Sequence, residues 1–571
     1  MTKTGLVWTA AVAAAVATAV GDSGSAYAGG FDVPDNGAEA LSRGGAFVAK
    51  ADSPLALYYN IAGMARQRGT RLELGANLVY HDIAFTRSGT YPGDPNDART
   101  PYAGQPYPTV HDSKNWFPAP YLGITTDFGY FKKLTFGLGV FGPPGIGTHQ
   151  YGDEVTKATN VPGQSTIAYE VKNAAGQSVP APSRYDISAT NLLIVLPTLG
   201  VAYRPIEQLS IGAAAQLVYS NFDLMNANYT KLSATLCSVD SNNPSGPNST
   251  NFDYAGCDAY GRIKASGLTA RGVFSVLAHP TSWLDLGATY TMHANVVAKG
   301  KSNPLPDGSY AKDATGNYIG ASDGLHAYPP FANYQSLNDS PVTFKTRLPD
   351  MVRLGARGVM RYPDGTERAD VELDVTYENW SSLNQPTICA DPQPADADGA
   401  CIVGTTPQPV PGDIIHATDF QLGKGAELVA VVPHNYKDTF GVRLGGSYNH
   451  RLSDVSRLSG RLGFYYDSAS TRAQDTHLDF NTADKIAVTA GVGYKLRGFT
   501  LNLSYAFIYS PSREVTSSNI RAISAINGSA YDDKDPVINY NKGHYDYSTQ
   551  IISLGLMVNF SEFKTPTLLA N

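Results

Sequence analysis

The chain has 571 residues, a net charge of −7 and only 16% charged residues, where about 25% is usual for a soluble protein. The negative balance excludes general nucleic-acid binding, which needs a basic face. Tyr (35) outnumbers Phe (21) and Trp (4) together, and Gly reaches 56. This mixture is typical of many strands bordered by aromatic belts at membrane interfaces.

The first 28 residues have the pattern of an export signal. Lys3 supplies the positive start, and Leu6 to Val20 form an apolar run rich in Ala and Val. Ala26-Tyr27-Ala28 fits the small-x-small cleavage rule, which predicts a mature chain beginning at Gly29. A membrane anchor is disfavoured because the run is shorter than the roughly 20 residues that cross a bilayer as a helix.

Long stretches of alternating apolar and polar residues predict membrane-spanning strands. In the last one, apolar side chains recur from Ile552 to Phe560 and alternate mainly with small or polar residues. Fourteen such segments occur, at 71–86, 117–129, 133–142, 190–204, 208–226, 263–279, 283–299, 343–361, 368–384, 437–450, 456–468, 484–496, 499–511 and 547–560. An even number is what a bacterial single-chain barrel requires, and short turns alternate with long loops as in such barrels.

Four cysteines lie in predicted loops and allow three pairings. The pairs Cys237–Cys257 and Cys389–Cys401 would each close within one loop, which an oxidising cell surface permits. No two cysteines have the close spacing that is typical of a metal site, so no bound metal is expected. No cofactor is expected either. No G-x-S-x-G or H-E-x-x-H motif occurs, so the chain is not expected to be an enzyme.

An ordered set of short motifs resembles the FadL family of outer-membrane channels for long-chain fatty acids and hydrocarbons. Near the predicted mature start, the set includes Gly29-Gly30-Phe31 and Asn60-Ile61-Ala62-Gly63, where Ile61 replaces a family Pro. Later matches include Leu348-Pro349-Asp350, Tyr377-Glu378-Asn379-Trp380-Ser381 and Tyr436-Lys437-Asp438. Together the matches span nearly the whole mature chain.

The resemblance implies an all-β, 14-stranded antiparallel transmembrane barrel in the Gram-negative outer membrane, spanning 70–560 and followed by a short tail at 561–571. It implies that residues 29–69 form a hatch inside the lumen. The apolar start at Gly29, Gly30 and Phe31 is the candidate for the part of the hatch that shifts, and an ordinary mobile N-terminus is the alternative. It also implies capture of ligand by outer loops, a site in the lumen, and lateral exit at a kinked third strand. A monomer in contact with outer-membrane lipids is expected.

The end of the third predicted strand, at Gly142-Pro143-Pro144-Gly145, is the candidate lateral opening. Two consecutive prolines remove two backbone donors, so no neighbouring strand can pair smoothly there. The alternative is an ordinary strand end. The overlapping G-x-G-x-x-G at 137–142 is not followed by the helix that a nucleotide site needs.

Opposite charges on the polar faces of two neighbouring strands predict a salt network in the lumen. Arg353 and Arg357 share one face, and Glu372 and Asp374 share the next. A turn at Pro363-Asp364-Gly365 places Arg357 opposite Glu372, where opposite charges stabilise a sheet.

Binding of a fatty-acid carboxylate needs a cation or donor beside a long apolar pocket. At the places where the family has basic residues, this chain has Asn221 and the stretch around His434, with Lys437 nearby. The expected function is therefore passive uptake of long-chain fatty acids or similar hydrophobic compounds. Uptake of aromatic or aliphatic hydrocarbons, and a surface adhesin or receptor barrel, are the alternatives.

Overall fold

In the computed structural model, the described residues are 36–93, 95–96, 101–142, 147–158, 165–229, 258–303, 340–382, 387–390, 430–431, 434–518 and 540–563. The predicted signal, Gly29, Gly30 and Phe31 lie outside these ranges, as do Pro143, Pro144 and Gly145. Cys237, Cys257 and Cys401 also lie outside them, and only the backbone of Cys389 is described. Within the described residues, no helix is both long enough and apolar enough to cross a membrane.

The structure is a closed antiparallel β-barrel with fourteen wall strands, as the alternation predicts. Six wall strands consist of two segments. In chain order the wall is β1 (Thr70–Arg87), β2 (Trp116–Thr126), β3 (Leu134–Phe141) with β4 (Thr148–Gln150), β8 (Ala189–Ile206), β9 (Leu209–Tyr229), β10 (Asp258–Thr281), β11 (Leu284–Thr291) with β12 (Ala294–Asn303), β13 (Ser340–Leu348) with β14 (Met351–Arg361), β15 (Glu367–Glu378) with β16 (Thr387–Ala390), β17 (Ala430–Val431) with β18 (Thr439–Ser453), β19 (Ser456–Asp467), β20 (Lys485–Leu496), β21 (Phe499–Tyr509) with β22 (Arg513–Val515), and β23 (Gly543–Asn559).

Each wall strand pairs with its neighbours in sequence, and β23 closes the barrel against β1. This last pairing runs from Arg71 opposite Asn559 to Arg87 opposite Gly543. Burial alternates along the strands, so that one face points to the lumen and the other carries exposed Leu, Val, Phe and Tyr side chains. Since those side chains face outward in a closed barrel, they form the lipid-facing belt of a membrane barrel.

A small three-stranded sheet lies in the long connection between β4 and β8. It consists of β5 (Asp153–Ala158), β6 (Ser165–Lys172) and β7 (Ser178–Pro180). Because the short turns occupy the opposite end of the barrel, this sheet belongs to the long-loop end, which faces outward in bacterial barrels.

The described residues that precede β1 lie in the lumen. We call them, residues 36–69, the lumenal segment. It contains helix α1 (Ala38–Leu41), helix α2 (Ala56–Tyr59) and a 3-10 helix (Ile61–Arg66). Its residues contact β1, β3, β8, β9, β10, β20, β21 and β23, and most are completely buried.

Two wall glycines allow the lumenal segment to approach the barrel wall closely. A Cβ atom at Gly445 would lie 2.1 Å from the backbone oxygen of Arg43, and one at Gly463 would lie 2.1 Å from its backbone carbon. These distances are far below contact distance, so any larger residue would force the segment away from β18 and β19. The abundance of glycine on lumen-facing positions thus has a steric cause.

Candidate functional site

Buried carboxylates of the wall hold the lumenal segment through its backbone. Asp374 Oδ2 accepts hydrogen bonds from the backbone N–H groups of Phe47 and Val48, both at 2.9 Å. Glu372 Oε1 accepts from Ala49 at 2.6 Å and from Lys50 at 3.1 Å. Charge-assisted hydrogen bonds of this kind are among the strongest in proteins, so they fix this turn against β15.

Arg43 adds a side-chain anchor to the same wall strand. Its guanidinium lies 2.8 Å from Asp370 and 3.0 Å from Glu372, and both its side chain and that of Glu372 are 0% exposed. A second ion pair joins Arg461 of β19 to Glu39 of α1 at 3.2 Å. Ion pairs to β15 and to β19 therefore bind the lumenal segment on two sides of the lumen.

The predicted lumen charges are arranged differently from simple cross-strand pairs. The register does place Arg357 opposite Glu372. The Arg357 side chain, however, binds Asp370 at 2.7 Å and Asp285 at 3.0 Å, because Glu372 is occupied by Arg43 and by backbone N–H groups. Arg357, Glu372 and Asp374 thus belong to one network through Asp370 and the lumenal segment.

Arg353 has a separate environment. It donates from Nη1 to the backbone oxygen of Tyr58 at 3.0 Å, and its guanidinium lies 5.1 Å and 5.8 Å from the ring centres of Tyr58 and Tyr59. Cation–π contacts of this kind stabilise a guanidinium by roughly 0.5–2 kcal/mol. Arg353 therefore links β14 to helix α2 of the lumenal segment.

A small cavity lies in the lumen beside α2. It has a volume of about 40 Å³ and is lined mainly by apolar side chains, together with the polar residues Gln216 and Thr291 and two arginines, Arg271 and Arg353. The apolar lining includes Leu57, Tyr58, Leu196, Val273, Leu348, Met351 and Trp380. A cavity of this size holds no more than a few waters, so a larger molecule can enter only if lining side chains or the lumenal segment move.

The described pathway candidates, Asn221, His434 and Lys437, lie outside this lining. Asn221 is on the face of β9 that also carries the exposed Leu217 and Tyr219, so it faces lipid. His434 and Lys437 precede β18, where His434 Nε2 lies 2.6 Å from Asp479 Oδ2 and the Lys437 N–H binds the backbone oxygen of Ser470. Arg271, which the sequence reasoning missed, was detectable because alternation places it on the lumen face of β10 with Val273.

An aromatic column connects the cavity with the loops at the long-loop end. The Trp380 ring lies 5.5 Å from Tyr436, which stacks on His434 at 5.0 Å, and His434 lies 4.5 Å from His477. His477 in turn contacts Asp186 at 2.7 Å. Burial raises the pKa of Asp479, but the neighbouring His434 outweighs this and holds the pKa below its usual range.

Among the described residues, the hydrogen-bond ladder between the second and third wall strands is interrupted. β2 pairs with β3 only from Leu122 to Thr126. Among the described residues, the stretch of β2 from Trp116 to Tyr121 has partners on β1 but none on the third wall strand. Beyond it the wall closes again, where Ser113 N–H binds the backbone oxygen of Gln150 at 2.9 Å. We call this interruption of the ladder the wall gap.

The lumenal segment reaches the wall gap at Gly142, the described residue of the candidate opening. Asn36 Nδ2 donates to the backbone oxygen of Gly142 at 3.0 Å. The Phe141 ring, at the end of β3, lies 5.5 Å from that of Tyr58, which lines the cavity. Pro118 and Pro120 of β2 have no N–H to donate across the gap. The cavity and the wall gap are therefore separated by two aromatic rings.

A closed fourteen-strand barrel with an apolar outer belt defines an outer-membrane protein. The family model described as outer membrane protein transport protein (OMPP1/FadL/TodX) matches residues 19–560. The chain belongs to this family and is an outer-membrane transporter of hydrophobic compounds. The family is one of channels rather than enzymes.

Solved structures agree with this fold. A FadL homologue of Pseudomonas aeruginosa is 17% identical with a TM-score of 0.61, and the match covers 93% of this chain and 100% of that one. The toluene transporter TbuX of Ralstonia pickettii is 14% identical with a TM-score of 0.51, covering 93% and 100%. The toluene transporter TodX of Pseudomonas putida is 15% identical with a TM-score of 0.53, covering 93% and 99%. A search of curated proteins found no match.

Proposed function

We propose that the protein takes up long-chain fatty acids, that the cavity binds their carboxylate, and that the wall gap releases them sideways into the membrane. The observation that carries this proposal is the pair Arg271 and Arg353 in an otherwise mainly apolar lining. A fatty acid needs this combination, because its chain is stabilised by apolar burial and its carboxylate by a guanidinium.

Entry of the ligand requires displacement of α2. Tyr58 covers Arg353 through its ring and its backbone oxygen, so an incoming carboxylate competes with Tyr58 for the guanidinium. Movement of Tyr58 also removes its contact with Phe141 at the wall gap. Binding and opening are coupled in this proposal through one residue of the lumenal segment.

The wall gap provides the exit. A strand edge without ladder partners is the place where a barrel wall opens with the fewest broken hydrogen bonds. The bond from Asn36 to Gly142 is the described contact of the lumenal segment at this edge, so withdrawal of residues near 36 frees it. Pro143, Pro144 and Gly145 remain candidate residues of the opening.

The test compares uptake of a charged and an uncharged ligand of equal length. Arg271→Gln and Arg353→Gln, singly and together, are expressed in a host that lacks its own fatty-acid channel. We expect the double variant to take up oleate at least about tenfold more slowly, as loss of a charged hydrogen bond of about 1.5–3 kcal/mol implies. Uptake of oleyl alcohol should change little. Equal loss for both ligands would contradict carboxylate binding.

Uptake of uncharged hydrocarbons is the second candidate, and the lining favours it in one respect. Arg353 is already covered by two tyrosine rings, and most of the other lining side chains are apolar. In this case toluene uptake would be rapid in the parent protein and unaffected by the arginine variants. Absence of oleate uptake together with toluene uptake would favour it over the first candidate.

A further inference from the structure

A column of apolar and small side chains continues from the cavity toward the long-loop end of the lumen. Its levels are defined by cross-strand partners on β9 and β10. At the cavity, Gln216 is opposite Arg271. Further along β9, every second residue faces the lumen, and the opposed pairs are Val218 with Thr269, Ser220 with Gly267, and Phe222 with Ala265. We call the lumen between the Gln216 level and the Phe222 level the lumen column.

Two phenylalanine rings meet at the far end of the lumen column. The ring centres of Phe222 and Phe344 lie 4.6 Å apart, and both side chains are buried. Phe344 of β13 reaches this level opposite Ala298 of β12. Both rings belong to the same cluster of buried apolar side chains as Leu196 and Val273, which line the cavity. The cavity and the ring pair are therefore joined by apolar contacts.

Small side chains line the lumen column between the cavity and the ring pair. Ser220, Gly267 and Ala298 occupy lumen-facing positions there. Thr269 also points into the lumen, opposite the completely buried Val218, yet it is only partly buried itself. These residues indicate that this part of the lumen is less tightly filled than the part that holds the lumenal segment.

The opposite direction from the cavity is occupied by the lumenal segment. Leu57 and Tyr58 line the cavity on that side, and the carboxylates of Glu372 and Asp374 hold the preceding turn through its backbone. An alkyl chain that entered there would break charge-assisted hydrogen bonds, whereas the lumen column requires only apolar side chains to move. The lumen column is therefore the less costly place for the chain of a bound ligand.

We propose that the Phe222–Phe344 pair limits the length of the alkyl chain that the protein accepts. This inference rests on the proposed function, since it takes the carboxylate to lie beside Arg271 and Arg353. The chain then follows the lumen column, and its methyl end meets the two rings. At about 3.3 Å per residue, the stretch from Gln216 to Phe222 spans roughly 20 Å, close to the extended length of a long-chain fatty acid.

The physical basis of this limit is apolar burial against overpacking. A chain that ends before the ring pair leaves apolar surface uncovered and so binds less tightly. A chain that is too long has to push the rings from their packed positions, which is also unfavourable. Binding is therefore strongest for the chain that just reaches the pair.

The experiment measures uptake of single saturated fatty acids, from decanoic to docosanoic acid, by cells that lack their own fatty-acid channel. Phe222→Ala/Phe344→Ala removes the ring pair. Phe274→Ala/Phe440→Ala is the matched control, because it removes two rings from the outer face, where they are 52% and 47% exposed. Thr269→Leu narrows the lumen column. Each variant is first checked for the heat-resistant gel mobility of a folded barrel.

We expect the preferred chain to be about two carbons longer in Phe222→Ala/Phe344→Ala and shorter in Thr269→Leu, with no change in the control. For an acid two carbons beyond the parent optimum, uptake relative to that optimum should rise at least about tenfold, because each buried CH₂ group contributes about a factor of four. Phe344→Leu, which keeps an apolar side chain, should give a smaller shift in the same direction, and it replaces the double variant if that variant does not fold.

Two results would overturn the proposal and leave the proposed function intact. One is a uniform rise in uptake at every chain length, which would make the ring pair a gate rather than a length limit. The other is an unchanged length profile in variants of a parent protein that takes up fatty acids. If the parent protein takes up none of the acids, the proposed function is overturned, and the length limit with it.

Discussion

Arg353 and Tyr58 form the contact that joins the barrel wall, the cavity and the lumenal segment. The guanidinium donates to the Tyr58 backbone oxygen at 3.0 Å and lies 5.1 Å from the Tyr58 ring centre. Since the ring also touches Phe141 at the wall gap, one residue of α2 borders both proposed ends of the ligand route.

Removal of the Tyr58 ring tests whether it separates the cavity from the wall gap. Tyr58→Ala should enlarge the cavity, remove the contact with Phe141 and raise the rate of ligand uptake severalfold. The measurement is uptake of radiolabelled oleate into cells. Tyr80→Ala is a suitable control, because Tyr80 packs on Trp116 on the outer side of the wall. An uptake rate for Tyr58→Ala at or below the parent value would argue against this role.

Locking the lumenal segment to the wall gap should block transport. The Asn36 side chain and the Gly142 backbone are in hydrogen-bond contact, but no atom of Asn36 lies within 4 Å of a Cβ atom built at Gly142, so Asn36→Cys and Gly142→Cys are joined by a short thiol-reactive cross-linker with a reducible spacer rather than by a direct disulfide. Uptake should fall on cross-linking and recover after the spacer is reduced. The two single-cysteine variants control for pairing with native cysteines. Unchanged uptake by the fully cross-linked protein would mean that this contact does not open.

Loss of Arg43 should strongly destabilise the protein. Arg43→Gln leaves Glu372 buried without its cation and leaves Asp370 with Arg357 alone, and removal of one partner from a buried ion pair costs about 3–5 kcal/mol. We expect a lower temperature for the loss of folded-barrel gel mobility. Arg451→Gln, which removes an ion pair with Asp364 at an exposed turn, should leave that temperature unchanged. Similar effects of the two substitutions would contradict a specific anchor.

Two glycines of the same strand should respond differently to alanine. Gly463→Ala places a Cβ atom 2.1 Å from the Arg43 backbone, whereas a Cβ atom at Gly460 meets nothing within 4 Å. Gly463→Ala should displace the lumenal segment and increase its cleavage by protease. Gly460→Ala should be neutral, or slightly stabilising because the unfolded chain loses freedom. Limited proteolysis followed by mass spectrometry distinguishes the two, and equal protection would refute the steric account.

The His434–Asp479 pair should resist mild acid. Because the folded-state pKa of Asp479 is lowered, its contribution to stability is fully present above the usual Asp pKa of about 3.9 and is lost as pH falls through the lower folded value. Hydrogen exchange of residues 476–482 should therefore be constant from about pH 7 to pH 5, after correction for the intrinsic rate. Asp479→Asn should raise exchange across this range. A parent protein that already loosens near pH 6 would contradict this assignment.

The strand pattern was largely predictable because alternation follows directly from a wall with lipid outside and a filled lumen inside. The breaks within strands could not be predicted from this alternation. The predicted strand at 283–299 is divided at Met292-His293, where the adjoining wall strand also breaks at Pro349-Asp350. Asp350 accepts from the His293 N–H at 3.0 Å and from the Tyr290 hydroxyl at 2.7 Å. This contact joins residues almost sixty positions apart, and periodicity within one segment cannot reveal it.

The candidate site was less predictable for a related reason. Asn221, His434 and Lys437 were located by position along family motifs, whereas the cavity is formed where several strands and α2 meet. Arg353 was assigned to a salt network because its strand neighbours are charged, yet its nearest partner is the tyrosine of a helix. Which lumen-facing cation borders a cavity depends on the path of the lumenal segment, and that path is determined by contacts with many strands.

The hydrogen bonds that Glu372 and Asp374 accept from the lumenal segment have an evolutionary consequence. The groups they bind are the backbone N–H groups of residues 47–50, which every amino acid except proline possesses. The attachment therefore survives changes of side chain along this turn but fails if either carboxylate is lost. Substitutions can therefore accumulate at residues 47–50 while the wall preserves the means of attachment.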